Sequence, residues 1–222
     1  VPAVLLLLIA GSPFIQAEWG IVTWKALSPD DESRNGLELT DEKWPENVAN
    51  TALIVFEIES DIEPFSEEYI QNLYLFSKEI LTIDQTSYVY SYAHFDSSMS
   101  QDEVIAFWDE TDDGNMTTEE LQMLNLQRNY HKDASIGEGV VMLVVGIEGD
   151  QSSVEAREVV RNIRALESKN LQFDGEGEVH VAGIAAYNQD VLDAVAEKMP
   201  IAMAFILISS YILIFLQVRS VI

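Results

Sequence analysis

Two segments of the chain, 51–58 and 140–147, are nearly continuous runs of apolar and mostly β-branched residues. Such runs are typical of strands that are buried near the centre of a sheet. Two further segments, 87–94 and 178–182, alternate between polar and apolar residues, as half-exposed outer strands do. The hydrophobic pattern therefore predicts a sheet with two central and two outer strands.

Amphipathic helices are predicted in two of the connections between these strands. Between residues 66 and 83, apolar residues recur at helical spacing, and Ser66, Glu67 and Glu68 supply the cap and the acidic first turn. A second helix is predicted over 151–168, where five apolar residues share one side and three arginines are expected to face away: Ala156, Val159, Val160, Ile163 and Leu166 against Arg157, Arg161 and Arg164.

The order of these elements predicts the fold class. Strand, helix, strand, a long insertion, strand, helix and strand correspond to the split β-α-β-β-α-β pattern of a ferredoxin-like domain. In that pattern the first and third strands lie in the middle of an antiparallel sheet, and the helices cover one face. We therefore predict an α+β domain over 51–190, with a helical insertion at about 97–135 and a lead-in at 18–50 that contains a short helix at about 33–44.

The C-terminal part of the chain is predicted to cross a membrane. Residues 201–218 carry no charge, and a helix of that length rises roughly 27 Å, close to the hydrocarbon thickness of a bilayer. The chain is predicted to turn helical from Asn188 and to continue through Pro200 into this span. The segment 191–222 thus comprises a linking helix and a transmembrane helix.

The N-terminal segment 1–17 is also uncharged, but its apolar run is too short to span a bilayer and has no cationic start. It is predicted to be the end of a transmembrane helix, with Trp19 and Trp24 as interfacial anchors, and a truncated signal sequence is the alternative. Arg219 is the one cation beyond the C-terminal apolar run. The positive-inside tendency places that end in the cytoplasm and the middle of the chain outside.

Charge is concentrated in the middle of the chain. All 38 acidic residues lie in 18–198, as does every basic residue except Arg219, and the net charge of the 222 residues is -26. Nucleic acid is excluded as a partner class, because phosphate binding needs clusters of Lys and Arg. The chain has no Cys, which excludes disulfides, thiolate metal sites and Cys nucleophiles.

Several stretches together resemble the resistance-nodulation-division (RND) transporters, and among these the MMPL type. They are the acidic lead LSPDDESR at 27–34, the strand that ends in Gly183 before Asp190, and the closing FLQVRS at 215–220. With the split β-α-β-β-α-β order, they resemble the first extracytoplasmic loop and second membrane helix of such a transporter.

The resemblance implies a multi-pass protein of the plasma membrane with a porter-like, extracytoplasmic acidic domain. Such transporters export lipids or other amphiphiles with the proton gradient. The implied partners are the lipid bilayer, the remaining membrane helices, a second porter domain, and a lipid or amphiphile substrate. The family's proton-relay carboxylates lie on a later membrane helix, so no coupling residue is assigned. A subunit of a translocation or lipid-handling assembly with the same porter architecture stays open as an alternative.

The insertion contains one pattern that suggests a metal site. Asp109, Asp113 and Glu120 stand at positions one, five and twelve of a loop with Gly at position six, the frame of a calcium-binding EF-hand loop. Helices are predicted on both sides, at 101–108 and 118–129, although the third position is Thr where Asp or Asn is usual. The alternative function is therefore a membrane-tethered extracellular binding or sensing module that binds calcium, and the alternative structure is an acidic helix-turn-helix.

No catalytic, cofactor-binding or metal-ligating residue is assigned from the sequence. The chain contains no Gly-rich phosphate loop, no Gly-x-Ser-x-Gly elbow and no His-Glu-x-x-His motif, so we expect that it is not an enzyme. The three histidines have no metal-ligand spacing and are interpreted as structural or surface residues. Tyr88, Tyr90 and Tyr92 either line an apolar ligand surface or pack under the helices as part of an outer strand.

Overall fold

The computed structural model describes residues 26–43, 50–58, 63–109, 116–170 and 179–219. The predicted membrane-helix end at 1–17 lies outside these residues. The chain divides into two compact units, Thr23–Gln189 and Val1–Val22 with Asp190–Ile222.

An antiparallel sheet forms the centre of the unit Thr23–Gln189. Its strands are β1 (Thr51–Glu57), β2 (Thr86–Tyr90), β3 (Ile136–Gly137), β4 (Val140–Ile147) and β5 (Val179–Gly183). The spatial order is β2-β4-β1-β5, and the short β3 pairs with β4. The two apolar runs therefore form the central strands and the two alternating segments form the outer strands, as the sequence predicts.

Burial on the sheet alternates between its two faces. On β1, Ala52, Ile54 and Phe56 are buried, while the residues between them are partly exposed. On β1 and along most of β4 the residues between the buried ones are partly exposed, so one face of the sheet is more buried than the other. This difference follows from the period of two along a strand.

Six helices are described. They are α1 (Glu32–Lys43), α2 (Glu67–Ile80), α3 (Gln101–Trp108), α4 (Thr118–Ser135), α5 (Val154–Asn170) and α6 (Ile184–Arg219). Together with the antiparallel sheet they confirm the predicted α+β class.

Helices α2 and α5 supply the layer over the inner face of the sheet. The Ser66 side chain caps α2 by accepting a hydrogen bond from the Tyr69 amide at 3.3 Å. Glu67 and Glu68 lie in the first turn, where their negative charges interact favourably with the positive end of the helix dipole. The buried side of each helix joins one apolar core: Ile70, Leu73 and Ile80 from α2, and Ala156, Val160 and Ile163 from α5.

The prediction that Arg157 faces away from the core is wrong. Arg157 is only 6% exposed. It lies next to the buried Ala156 and three residues before the buried Val160, so it stands at the border of the apolar face of α5. Arg161 is exposed as predicted, and Arg164 is partly buried.

Helix α6 begins at Ile184, four residues earlier than predicted, and directly after β5. Gly183 ends the strand with a φ of 113°, a conformation that favours glycine and lets the chain turn at once. Ala185 and Ala186 are buried in the core, which explains why the start of the helix was missed: small apolar residues carry little helical periodicity.

The insertion between β2 and β3 forms the two predicted helices. Helix α3 has the predicted bounds, and α4 runs on to Ser135, beyond the predicted end at 129. Both helices begin with a capping box, Ser100 with Glu103 and Thr117 with Glu120, in which each side chain bonds to the backbone of the other residue.

The C-terminal helix α6 carries the apolar run. Within the described residues it is the one helix long and apolar enough to cross a membrane, and the apolar stretch is not buried inside the protein. It continues through Pro200, as predicted. A long apolar surface of this kind needs an apolar environment.

Candidate ligand cleft

A cavity of about 600 Å³ lies at β2, one of the two edge strands in the order β2-β4-β1-β5. We call it the tyrosine cleft; its wall is formed by Leu81, Ser87, Tyr88, Val89, Tyr90, His94, Phe95, Ser97, Tyr130 and Val144. Most of these residues belong to β2 or to the turn that follows it. Val144 comes from β4 and Tyr130 from α4.

The cleft depends on an irregularity in β2. The register between β2 and β4 shifts between Thr86 and Tyr88, so that Ser87 and Tyr88 together oppose the single residue Gly146. A bulge of this kind redirects side chains from the strict alternation of a strand. A Cβ atom at Gly146 would lie 2.2 Å from Tyr88 Cε1 and 2.5 Å from Ser87 Oγ. Only a glycine therefore lets both side chains lie so close to the backbone of β4.

The predicted outer strand at 87–94 is shorter than expected. It ends at Tyr90, and Ser91 and His94 close a tight turn with backbone hydrogen bonds of 3.1 and 3.0 Å. The turn breaks the alternation, so Tyr92 enters the core, where its hydroxyl donates to the carbonyl of Pro64. Tyr88 and Tyr90 instead line the cleft. The packing interpretation is therefore confirmed for Tyr92, and the ligand-surface interpretation stays a prediction for Tyr88 and Tyr90.

Helix α4 is attached to the wall of the cleft through His131. Its Nδ1 atom lies 2.9 Å from the hydroxyl oxygen of Tyr90, and its ring stacks on Phe95 at 4.2 Å between centroids. Burial lowers the pKa of His131 below its ordinary value of 6.5. Burial, and to a smaller extent Tyr130, raises the pKa of Tyr90. Both groups are therefore held in their neutral forms.

The lowered pKa of His131 predicts that the stability of the folded domain depends on pH. Because the folded state lowers the pKa of His131, the unfolded chain takes up the proton first as pH falls below about 6.5. The folded domain should therefore lose stability as pH falls from 6.5 towards the folded pKa. We expect His131→Gln to flatten the stability profile in this window, measured by hydrogen exchange of the β1 and β4 amides. Equal slopes for both proteins would show that His131 does not contribute.

His94 is buried in the wall of the cleft and has a defined tautomer. Its Nδ1–H donates to the carbonyl oxygen of Val89 at 2.9 Å, because a carbonyl can only accept. Among the described residues, neither His94 Nε2 nor the buried Ser87 Oγ has a hydrogen-bond partner.

A second prediction concerns Gly146. We expect Gly146→Ala to push the Tyr88 ring and Ser87 Oγ away from β4, and to lower the free energy of unfolding by about 1–3 kcal/mol, as overpacking does. The change in the cleft is measurable as a shift of the tyrosine ring NMR signals of Tyr88. Gly36→Ala is the control, because Gly36 has no positive φ and a Cβ atom there meets nothing within 4 Å. Unchanged Tyr88 signals in Gly146→Ala would contradict the packing described.

The calcium-like loop is only partly described. Asp113 lies outside the described residues. Asp109 ends α3, and its backbone carbonyl accepts a hydrogen bond from Arg128 at 3.2 Å. Glu120 is engaged in the capping box, where the amide and the hydroxyl of Thr117 donate to it at 2.8 and 2.7 Å and lower its pKa. Helix capping therefore explains this glutamate without a metal.

Across the described part of the chain, no group of three or more histidine and acidic side chains is arranged to hold a metal ion. The three histidines serve different purposes. His94 and His131 support the cleft as described, and His180 is exposed on β5, with Nε2 at 3.4 Å from Glu57 Oε1.

The structure describes a mixed α and β domain and a helix, α6, that is long and apolar enough to cross a membrane. Comparison with known families then identifies the class of protein. The MMPL family profile matches residues 95–222. This is more than half of the chain, so the chain belongs to the MMPL family of RND-type membrane transporters, and the resemblance seen in the sequence is confirmed. No curated protein matches the chain.

Proposed function

We propose that the chain provides an extracytoplasmic porter-type domain and a membrane-spanning helix of an RND-type exporter. The observation that carries this proposal is the MMPL family match, which extends through the cleft residues Phe95 and Tyr130 into the apolar helix α6. The transporter exports lipids or other amphiphiles and is driven by the proton gradient. It acts without enzymatic chemistry on its substrate.

The strand order supports a ferredoxin-like architecture for the porter domain. Without the short β3, the remaining strands are first, second, third and fourth in the chain as β1, β2, β4 and β5. Their spatial order β2-β4-β1-β5 puts the first and third in the centre. The helices α2 and α5 each connect an inner strand with an outer one, as in the split β-α-β-β-α-β pattern.

Arg219, the cation that follows the apolar run of α6, supports an extracytoplasmic location of the domain. The acidic residues lie outside the apolar run of α6, and Arg219 follows that run. Short loops rich in Lys and Arg are retained in the cytoplasm, whereas acidic residues have little influence on orientation. In the proposed arrangement, α6 joins further membrane helices of the transporter, and the domain works with a second porter domain.

Transport is tested with the complete transporter that contains this chain, reconstituted in lipid vesicles. A pH gradient of the correct sign should drive movement of a fluorescent lipid analogue across the membrane, and a protonophore should stop it. Vesicles that contain no protein are the control for spontaneous lipid movement. Lipid movement that is independent of the pH gradient would contradict proton-driven export.

A further inference from the structure

We propose that the tyrosine cleft binds an uncharged, single-chain amphiphile, with the apolar chain against the aromatic wall and a hydroxyl-bearing head group in the cleft. This inference deepens the proposed function and rests on it for the supply of lipid substrate. It assigns a particular site and a particular head-group chemistry.

The size and the chemistry of the wall fit the apolar part of such a ligand. The cavity of about 600 Å³ falls within the range of small-molecule sites, roughly 300–1,000 Å³. Four aromatic rings line it, from Tyr88, Tyr90, Phe95 and Tyr130. Aromatic side chains offer large apolar areas, and tyrosines add hydroxyl groups at the rim.

The wall contains no charged side chain among the residues that line it, although the chain holds 38 acidic and 12 basic residues. A charged head group placed there would lose its hydration without gaining an ion pair, which is costly. A neutral head group avoids this cost. The composition of the wall therefore favours an uncharged ligand over a fatty acid or a phospholipid.

An exposed apolar stripe on α4 leads away from the cleft. Met123, Leu126 and Tyr130 are 61%, 66% and 68% exposed, and their spacing puts them on one side of the helix. Outside this stripe, Arg128 bonds to the carbonyl of Phe107 and His131 to the hydroxyl of Tyr90. Tyr130 belongs to both the stripe and the cleft, so the two form one apolar surface. The stripe extends this surface by roughly 10 Å, so the apolar chain of the ligand can continue along it beyond the cavity.

The two buried polar atoms without partners favour a hydroxyl group on the ligand. His94 Nε2 and Ser87 Oγ can each form a hydrogen bond with a hydroxyl group, which both donates and accepts. Buried polar atoms without partners are uncommon and cost free energy. Both atoms are shielded from solvent, so the head group must displace a wall side chain to reach them. Tyr88 lies beside Ser87 over Gly146 and is one of these wall side chains.

The proposal is tested by photo-crosslinking of the full chain in lipid nanodiscs. The probe is a 1-monoacylglycerol with a diazirine on its chain, and the matched anionic probe is the fatty acid with the same diazirine at pH 8. We expect the monoacylglycerol to label the segments 87–97 and 123–130. The fatty acid should label them about tenfold less, which corresponds to a difference in binding free energy of about 1.4 kcal/mol. Labelling of α6 by both probes is the internal standard.

Tyr130→Ala supplies the test by substitution. Because Tyr130 is largely exposed, its removal should not unfold the domain, and it should reduce cleft labelling about fivefold relative to α6. Tyr187→Ala is the matched control, since Tyr187 is equally exposed, at 63%, and does not line the cleft. It should leave the labelling unchanged.

Labelling confined to α6, equal labelling by both probes, or an equal effect of the two tyrosine substitutions would each overturn the proposal. These results are separable from those of the transport experiment. If proton-driven lipid export occurs and the cleft is not labelled, the cleft proposal alone fails. If the cleft is labelled and no export occurs, the proposed transport function alone fails.

Discussion

Gly183→Ala is expected to destabilise the domain by on the order of 4 kcal/mol, through unfavourable backbone geometry and a steric clash. The φ of 113° at Gly183 is unfavourable for any residue with a Cβ atom. The added Cβ would also lie 2.6 Å from the backbone oxygen of Thr51 and 3.2 Å from Ala52 Cα on the neighbouring strand β1. A backbone cannot swing aside as a flexible side chain can, so the pairing of β1 with β5 must be disturbed.

The two contributions can be separated with a matched variant. Gly139 also has a positive φ, 70°, but a Cβ atom there would meet nothing within 4 Å. Gly139→Ala should therefore lower the free energy of unfolding only through the unfavourable backbone conformation, by roughly 1–2 kcal/mol. Hydrogen exchange of the β1 amides in nanodiscs measures both variants. Equal losses for the two substitutions would contradict the close approach of Gly183 to β1.

Arg128→Ala is expected to lower the stability of the insertion by on the order of 3 kcal/mol, because two carbonyl groups lose a charged donor. Arg128 is 5% exposed. Its Nε donates to the carbonyl of Phe107 at 2.6 Å and its Nη2 to that of Asp109 at 3.2 Å, and both carbonyls lie at the end of α3. The guanidinium also lies over the Phe107 ring, 5.8 Å from its centroid. The Arg128 side chain thus connects α4 to the end of α3 by two hydrogen bonds.

The expected result for Arg128→Ala is a selective loss of hydrogen-exchange protection in α3 and α4, with smaller changes in β1 and β4. Arg128→Lys keeps the charge but offers no planar pair of donors, so it should recover only part of the protection. Arg161→Ala, at an exposed position of α5, is the control and should change stability by less than about 0.5 kcal/mol. A uniform effect across the domain would show that Arg128 does not act locally.

The sheet could be predicted from sequence because its central and outer strands differ in pattern. The continuous run of β4 was located with the correct bounds, since 140–147 has no competing signal. The boundaries of β5 and α6 were less accurate. There Gly183 decides where the strand ends, and its effect depends on the neighbouring backbone of Thr51, which is distant in sequence.

The tyrosine cleft could be predicted only in part. The alternating tyrosines indicated an apolar surface, but the bulge that separates Tyr88 from strict alternation depends on pairing with β4. An isolated glycine within an apolar strand signals a bulge or a close approach, so Gly146 was the available clue. Tyr130 and Phe95 could not be assigned to the same site, because the path of the insertion back to β2 is not encoded in any local pattern.

The role of the buried Arg128 also could not be predicted from the sequence. In the sequence it is one of few cations in an acidic, solvent-exposed helix pattern, and nothing local distinguishes it from Arg161. Its role arises from the meeting of α4 with the end of α3. The last carbonyl groups of a helix have no hydrogen-bond partner within the helix and need one elsewhere. Which side chain satisfies them is decided by tertiary packing.

The central proposal is that the acidic domain lies outside the cell and that α6 carries the chain to the cytoplasm. The natural absence of Cys makes single-cysteine labelling the most direct test. Glu155→Cys places a thiol at an exposed position of α5, and Ser220→Cys places one just beyond α6. In intact cells, a membrane-impermeant maleimide should label Glu155→Cys, and Ser220→Cys only after the membrane is permeabilised. Labelling of Ser220→Cys in intact cells, or protection of Glu155→Cys, would contradict the account.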